Sequence, residues 1–373
     1  MQAYRAHDAA RPGQATADEE TRAARDWQGR GVPERNRISG SLEEWTMFKH
    51  CVAASALLAA SLMAASAAEL KGWTQQTDDY PVTQAMQFFA DQIKTKTGGK
   101  YTGKVFPNST LGDQNKALKL LDAGEVDFAV VNNTPLSKAV PKMEVLSLPF
   151  LFRNSAHMLS IMDGPIGQEL EKDLAAKGFI VIGWYDGGAR SFYTRNKPVR
   201  FATDYEGERI RVADNQLYKD MVTALGASPV VVAYKDIKKS FENDEIDGAE
   251  NNLPSYEAEQ HYKYAKYFSF SNHIVTPEAL VVSKVLWGKL SDTEKATFRE
   301  AGKASAIFMR QQFNKRLEAS RTKLEKEGVK FYALQDPGPF ISRMRPIYQP
   351  YINNPDTSDM VIRIMTSRPA RPD

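Results

Sequence analysis

The sequence predicts an α/β protein of about two domains, and three observations predict it. After Ala68 the chain alternates helix-period apolar patterns with short strand-like runs, the order expected of helices layered on a sheet. That stretch is roughly 305 residues long, enough to bury a large core and typical of about two domains. No internal repeat or low-complexity linker divides it. The chain is therefore expected to cross between its domains more than once.

Val82, Ala85, Met86, Phe89 and Ile93 recur at helical spacing and stop at Gly98-Gly99, a good helix terminator. Lys104-Val105-Phe106 reads as a strand, closed by the turn-prone Pro107-Asn108. Ala117, Leu118 and Leu121 mark a second helix ending at Gly124, and Val126 to Val131 is an apolar run suited to a buried parallel strand. Ile166 to Lys177 is helical up to Gly178, and Phe179 to Trp184 is a strand. Arg209 to Val212 is another strand, followed by a helix from Gln216 to Leu225 that stops at Gly226. Pro229 to Val232 and Glu278 to Ser283 are further strands. Ser291 caps a long helix, Asp292 to Glu327, with Phe298, Ala301, Ala304, Phe308 and Met309 along one side. Asp292 and Glu294 near its start and Lys323 and Lys326 near its end suit the helix dipole. It reads as a scaffold spine in which Gly302 is expected to permit a bend.

Upstream, Met47-Phe48-Lys49-His50 and the run from Cys51 to Ala68 read as a secretory signal. A short basic end precedes an apolar core, and Ala65-Ser66-Ala67 offers the small side chains a signal peptidase accepts. The core is shorter than the roughly 20 apolar residues of a membrane span. Residues 1–46 are polar, without apolar period, and read as a mis-assigned or disordered extension. Met47 is the expected start, residues 47–68 the expected signal, and the exported product should begin near Ala68 or Glu69. A soluble periplasmic protein follows, with no insertion into the membrane.

The formal net charge is +3, and residues 1–68 carry eight charges of each sign, so the product keeps it. It has no long basic run, and therefore no electrostatic footprint for nucleic acid. The sole cysteine, Cys51, falls in the signal, which leaves the product without a disulfide. The residues before it, Phe48-Lys49-His50, are not those of a lipoprotein signal.

Enzyme signals are thin. The chain has no Gly-rich phosphate loop, no G-x-S-x-G elbow and no paired Cys motif. After the signal only His157, His261 and His273 remain, none at metal-ligand spacing. Acid pairs such as Asp78-Asp79 and Asp244-Glu245 read as solvated turns.

Binding signals are stronger. Trp184 to Thr194 follows a strand end, where ligands of open α/β sheets bind, and sets Gly187-Gly188 beside Arg190 with aromatics on both sides. In Arg209-Ile210-Arg211-Val212, Ile210 and Val212 share the core face, which turns both guanidiniums towards a cleft or solvent. A guanidinium fork matches a carboxylate through two parallel hydrogen bonds, and spacing does not say which Arg does it. Gly248-Ala249-Glu250-Asn251-Asn252 places two amides beside a carboxylate, a set suited to a polyhydroxylated acid because amides both donate and accept.

Together these segments resemble the extracytoplasmic solute-binding proteins of tripartite ATP-independent periplasmic (TRAP) transporters, from about Trp73 to Tyr351. Val105-Phe106-Pro107-Asn108 with Leu111-Gly112, then Leu146 to Phe152, resemble the family's first half. Gly207 to Val212, Ala224-Leu225-Gly226-Ala227 and Asp247-Gly248-Ala249-Glu250-Asn251 resemble its second. The resemblance implies a two-lobed periplasmic binding protein fold, each lobe a mixed sheet flanked by helices, with the long helix spanning both. It implies lobes of 69–187 plus 277–316 and of 188–276 plus 317–373. It also implies a cleft closing on a carboxylate-bearing ligand, with the family's key arginine at Arg211, its second arginine at Arg190 and its carboxylate-binding amide at Asn251.

Glu250-Asn251-Asn252-x-Pro254-Ser255-Tyr256, Ala189 to Tyr193, and His273-x-x-x-Pro277-Glu278 look like the subgroup that binds hexuronates such as glucuronate and galacturonate. Two departures bear on the choice of sugar acid. Gln75 to Tyr80 stands where many such relatives have His-Pro, and Asn132-Asn133 replaces smaller residues. The expected ligand-binding set is Arg211, Arg190, Asn251, Asn252, Glu250, Asp214, Asn132, His273 and Tyr80, with no catalytic residue, metal or cofactor. The resemblance implies a monomeric receptor that delivers its ligand to the small and large membrane subunits of a TRAP permease. The rivals are a receptor for a C4-dicarboxylate or other organic acid, and a periplasmic enzyme acting on uronic acids.

Overall fold

A computed structural model describes residues 67–367. The extension expected at 1–46 and the signal expected at 47–68, as far as Ser66, lie outside the described residues. The described chain opens with strand β1 (Ala68–Trp73), helix α1 (Pro81–Lys96) and strand β2 (Tyr101–Phe106). Helix α2 (Gln114–Ala123), strand β3 (Phe128–Asn132), helix α3 (Asn133–Ala139), a 3₁₀ turn (Pro141–Ser147) and helices α4 (Ser155–Met162) and α5 (Pro165–Ala176) follow. Strand β4 (Phe179–Thr194) leads to β5 (Arg209–Val212), α6 (Gln216–Ala224), β6 (Ser228–Val231), α7 (Ile237–Glu242), β7 (Gly248–Asn251) and α8 (Leu253–Ala258). Strand β8 (Tyr267–Ser283) precedes α9 (Lys284–Lys289), α10 (Asp292–Lys326), β9 (Lys330–Ala333), α11 (Pro337–Asn353) and α12 (Pro355–Thr366).

The strands form one nine-stranded sheet in the order β2-β1-β3-β8-β4-β7-β5-β6, with β9 added to β8. Each half is mixed. In the first, β1 runs parallel to β2 and β3 while β3 is antiparallel to β8. In the second, β5 runs parallel to β6 and β7 while β7 is antiparallel to β4. The long central pair, β4 and β8, is antiparallel and belongs to both halves.

Helices cover both faces of the first half, which is why Val126 to Val131 reads as a continuous apolar run. Phe128 and Val130 enter one core with Phe89 and Phe298, while Ala129 and Val131 enter another with Trp73 and Leu121. A third cluster fills the second half around Tyr193, Phe241, Tyr256 and Phe268. Helix α10 ties the halves together. Near its start Phe298 packs edge-on against Phe89, and near its end Leu324 joins the second-half core. Ser291 caps it as expected: its hydroxyl accepts from Glu294 N while Glu294 Oε2 accepts from Ser291 N at 2.8 Å. The last helices diverge, α11 packing on α6 and α12 on the Pro141–Ser147 turn.

Two local expectations are corrected. The strands expected at Phe179 to Trp184 and Glu278 to Ser283 are ends of strands 16 and 17 residues long. Gly187-Gly188 does not follow a strand end; the ladder shifts register between Asp186 and Ala189 and continues. Gly188 takes a φ of +75°, and a Cβ there would lie 2.7 Å from Phe313 and 2.9 Å from Asn252. The glycines thus form a bulge that keeps the strand running. Gly302 lies inside an uninterrupted helix rather than at a break. A Cβ on it would meet the Ile182 carbonyl oxygen at 2.4 Å, so glycine serves close helix–strand approach there.

Candidate functional site

A cavity of about 330 Å³ opens where the two halves of the sheet meet, at the small end of the ligand-pocket range. The first half contributes Gln75, Gln76, Gln114, Asn132, Asn133 and Lys138; the second contributes Arg211, Asp214, Tyr218, Tyr234, Asn251 and Asn252. Arg190, Gly187, Thr276 and Glu278 reach it from the central strands.

Strand alternation places Arg211. Ile210 and Val212 are fully buried in the core, so Arg211 projects from the other face of β5. Arg209 shares that face, but at the strand start two aspartates take it: Asp247 forms a two-pronged pair at 2.9 and 2.7 Å, and Asp244 adds a third contact at 3.3 Å. Arg211 is 3% exposed, and its Nε donates to Val232 O at 2.9 Å. No carboxylate pairs with it among the described residues. Burial lowers its pKa, Glu250 partly restores it and Arg190 lowers it further. The guanidinium is a buried positive charge turned to a cavity.

Arg190 is differently placed. Its Nε and one terminal nitrogen donate to Glu250 Oε2 and Oε1 at 2.5 and 2.8 Å, and its other terminal nitrogen donates to Asn251 Oδ1 at 3.0 Å. Burial alone would push the fully buried Glu250 up, but Arg190 and His273, whose Nε2 lies 3.5 Å away, hold it down at about 2. Burial opposes the charge on Arg190, and Glu250 more than restores it. The charge of Arg190 is therefore internally balanced. Its effect on Asn251 is geometric: the Asn251 Oδ1 also accepts from Asn252 N at 2.8 Å, which turns the amide nitrogen away from these donors as a donor itself.

The other expected residues divide. Asn132 lines the cavity and its Oδ1 caps α3 through Thr134 N at 3.2 Å. Asp214 lines it at the rim, paired with Lys138 at 3.2 Å and Lys219 at 3.5 Å. Asn252 also lines it, but its amide is already engaged: Oδ1 accepts from Ser255 N at 2.8 Å and Nδ2 donates to Gly187 O at 2.7 Å. Glu250, His273 and Tyr80 are not among the lining residues. They stand behind the lining residues, Glu250 and His273 in the Arg190 network and Tyr80 against Asn252 and Ser255 at 3.2 and 2.9 Å. Gln75, Gln114, Tyr218 and Glu278 line the cavity but were not in the expected ligand-binding set. Gln75 and Glu278 carried a signal, one in the Gln75 to Tyr80 departure and the other in the His273-x-x-x-Pro277-Glu278 motif; Gln114 and Tyr218 carried none.

The cavity thus joins one uncompensated guanidinium to a rim rich in amides and hydroxyls, a chemistry for a small polar anion. A family described as "Bacterial extracellular solute-binding protein, family 7" (DctP) matches residues 74–354. The chain belongs to this family. The resemblance to TRAP solute-binding proteins is borne out, and the two-lobed α/β class with it. A relative from Chromohalobacter salexigens, described as a solute-binding protein, is 37% identical over 85% of this chain and 96% of its own length. A solved TRAP periplasmic solute-binding protein from that organism, with bound D-glucuronate, is 37% identical and superposes with a TM-score of 0.79, covering 80% of this chain and all of its own. Another from Xanthobacter autotrophicus, with bound β-D-galacturonate, is also 37% identical, with a TM-score of 0.77 over the same shares. As a family-7 member the chain is an extracellular solute receptor by type, and no helix among the described residues is long and apolar enough to cross a membrane.

Proposed function

We propose that the chain is the periplasmic receptor of a TRAP transporter for a hexuronate of the glucuronate or galacturonate type. The observation that carries this is Arg211, a buried guanidinium facing a sugar-sized cavity with no carboxylate of its own among the described residues. A ligand carboxylate would restore its charge balance through a forked pair. The Asn251 amide would donate to a remaining carboxylate lone pair, and Gln75, Gln114 and Asn132 suit ring hydroxyls because amides donate and accept. The hexuronate-bound neighbours support the same ligand class. Arg190 argues against a C4-dicarboxylate, since its pairing with Glu250 leaves one guanidinium for one acid group.

In this reading the lobes are 69–187 plus 277–316 and 188–276 plus 317–373, hinged where β4 and β8 pass between them, and α12 of the second lobe packs on the Pro141–Ser147 turn of the first. Ligand held by Arg211 and Asn251 recruits the glutamines of the other lobe, and closure is favoured only by contacts made after it. The closed monomer then docks on the small and large membrane subunits of the permease.

A thermal-shift and calorimetric panel of hexuronates, aldonates, dicarboxylates and keto acids tests this. Glucuronate or galacturonate should give the tightest binding and be recovered chemically intact after denaturation. Preference for succinate or malate would sink the ligand assignment, and a recovered product would make the protein an enzyme.

A further inference from the structure

Glu278 is a cavity-wall acid that the binding scheme above leaves unused. It sits on β8 opposite Asn132 of β3 and Tyr185 of β4. Its carboxylate makes no hydrogen bond or ion pair among the described residues, unlike those of the other acids nearby. Asp214 has two lysines, Asp113 caps α2 through Lys116 N, and Asp186 accepts from Ser155 and from Gly188 N. The bare Gly187 faces it: a Cβ there would lie 3.3 Å from Glu278 Cγ. In the sheet order, β8 and β5 are separated by β4 and β7, roughly 14 Å across the sheet. The register sets Glu278 beside Tyr185 but Arg211 beside Ala249, the partner of Tyr193 further along β4, although both line the one cavity. Glu278 and Arg211 therefore address opposite ends of one ligand.

We propose that Glu278 determines specificity by engaging a hydroxyl at the end of the ligand remote from Arg211 and rejecting a second carboxylate at that end. This rests on the hexuronate reading and names what that site excludes. A hydroxyl donates to the carboxylate or accepts from the carboxylic acid, so a sugar hydroxyl suits either state of the group. A ligand carboxylate suits only the protonated acid, because two charges of one sign would otherwise share a cavity. The charged and titratable groups facing Glu278 are Asp186, Tyr185 and Arg190 on β4 and Tyr80 ahead of α1. Burial pushes the group up; Arg190 opposes this, Asp186 adds to it, and the result is about 7. It thus ionises across neutral pH, and acceptance of a second carboxylate should fall as pH rises through that value.

Calorimetry with D-glucuronate and D-glucarate, which carries an acid at both ends, tests this. At about pH 8 the wild type should bind glucuronate well over tenfold more tightly than glucarate. Glu278→Gln, which keeps a donor and an acceptor without charge, should narrow that ratio by about tenfold through a gain in glucarate. Glu278→Ala should lose about tenfold in glucuronate affinity. A measurement on the wild type alone guards against a variant that fails to fold: its preference for glucuronate should shrink from about pH 8 to about pH 6. An unchanged ratio in Glu278→Gln, or a wild-type ratio flat with pH, overturns the assignment while leaving the hexuronate reading intact. Absence of glucuronate and galacturonate binding by the wild type overturns the hexuronate reading itself, and this proposal with it.

Discussion

Arg211 holds a charge that the fold alone disfavours. Burial lowers its pKa, and its one hydrogen-bond partner among the described residues is the neutral carbonyl of Val232. Such a group should lower the stability of the empty protein in return for binding. Arg211→Met is therefore expected to abolish the glucuronate signal in calorimetry while the empty protein melts no lower than wild type. Arg211→Lys should also bind poorly, because an ammonium lacks the fork. Loss of one partner of a buried charge pair costs about 2–5 kcal/mol, or tens- to thousands-fold in affinity. Affinity within about threefold of wild type in either variant would remove Arg211 from the site. The sequence pattern placed Arg209 and Arg211 on one strand face but could not separate them. What separates them is non-local: Asp244 and Asp247 claim Arg209 from a turn more than thirty residues away. The same limit hid half of Asn252: its Oδ1 caps α8 locally through Ser255 N, but its Nδ2 is taken by Gly187 O, 65 residues away.

At the scale of elements, helices with apolar period and a stop signal were legible. Helix α10 runs from its Ser291 cap to Lys326, and α2 ends at Gly124 in a left-handed turn. The long strands were not. Gly187-Gly188 on β4 and Ser271-Asn272-His273 on β8 interrupt the alternation with residues that elsewhere make turns, yet here they occupy bulges in a paired ladder. Glycine likewise carries two opposite meanings in the helices. A Cβ added to Gly288 in α9 would meet nothing within 4 Å, whereas Gly302 in α10 abuts Ile182 O. Alanine is favoured over glycine by about 1 kcal/mol in a helix. Gly288→Ala should therefore raise stability by up to about that amount. Gly302→Ala should lower it by about 1–3 kcal/mol, because the helix must move off the sheet. Urea denaturation of both variants checks this, and a stabilised Gly302→Ala would show that the helix–strand contact has slack.

At the scale of the molecule, the sheet is a single object. β4 and β8 cross from the half built on β1, β2 and β3 to the half built on β5, β6 and β7, and α10 runs along both. Two lobes that share their central strands cannot lose one core without breaking ladders that hold the other. Unfolding is therefore expected to be one cooperative transition despite the two-lobed shape. The tryptophans offer a one-sided probe, since none lies between residues 188 and 276 or after 317. From residue 68 onward their fluorescence reports on Trp73, Trp184 and Trp287, whereas far-ultraviolet circular dichroism reports on the whole sheet. Phe241, buried in the second-half core against Tyr193 and Tyr264, is the place to perturb. Phe241→Ala should cost about 3–5 kcal/mol. If the lobes unfold together, the fluorescence midpoint in urea falls as far as the dichroism midpoint, although no tryptophan touches the mutated core. A fluorescence midpoint that stays at its wild-type value while the dichroism splits into two steps would mean that the shared strands part at the bulges, and that each lobe folds on its own.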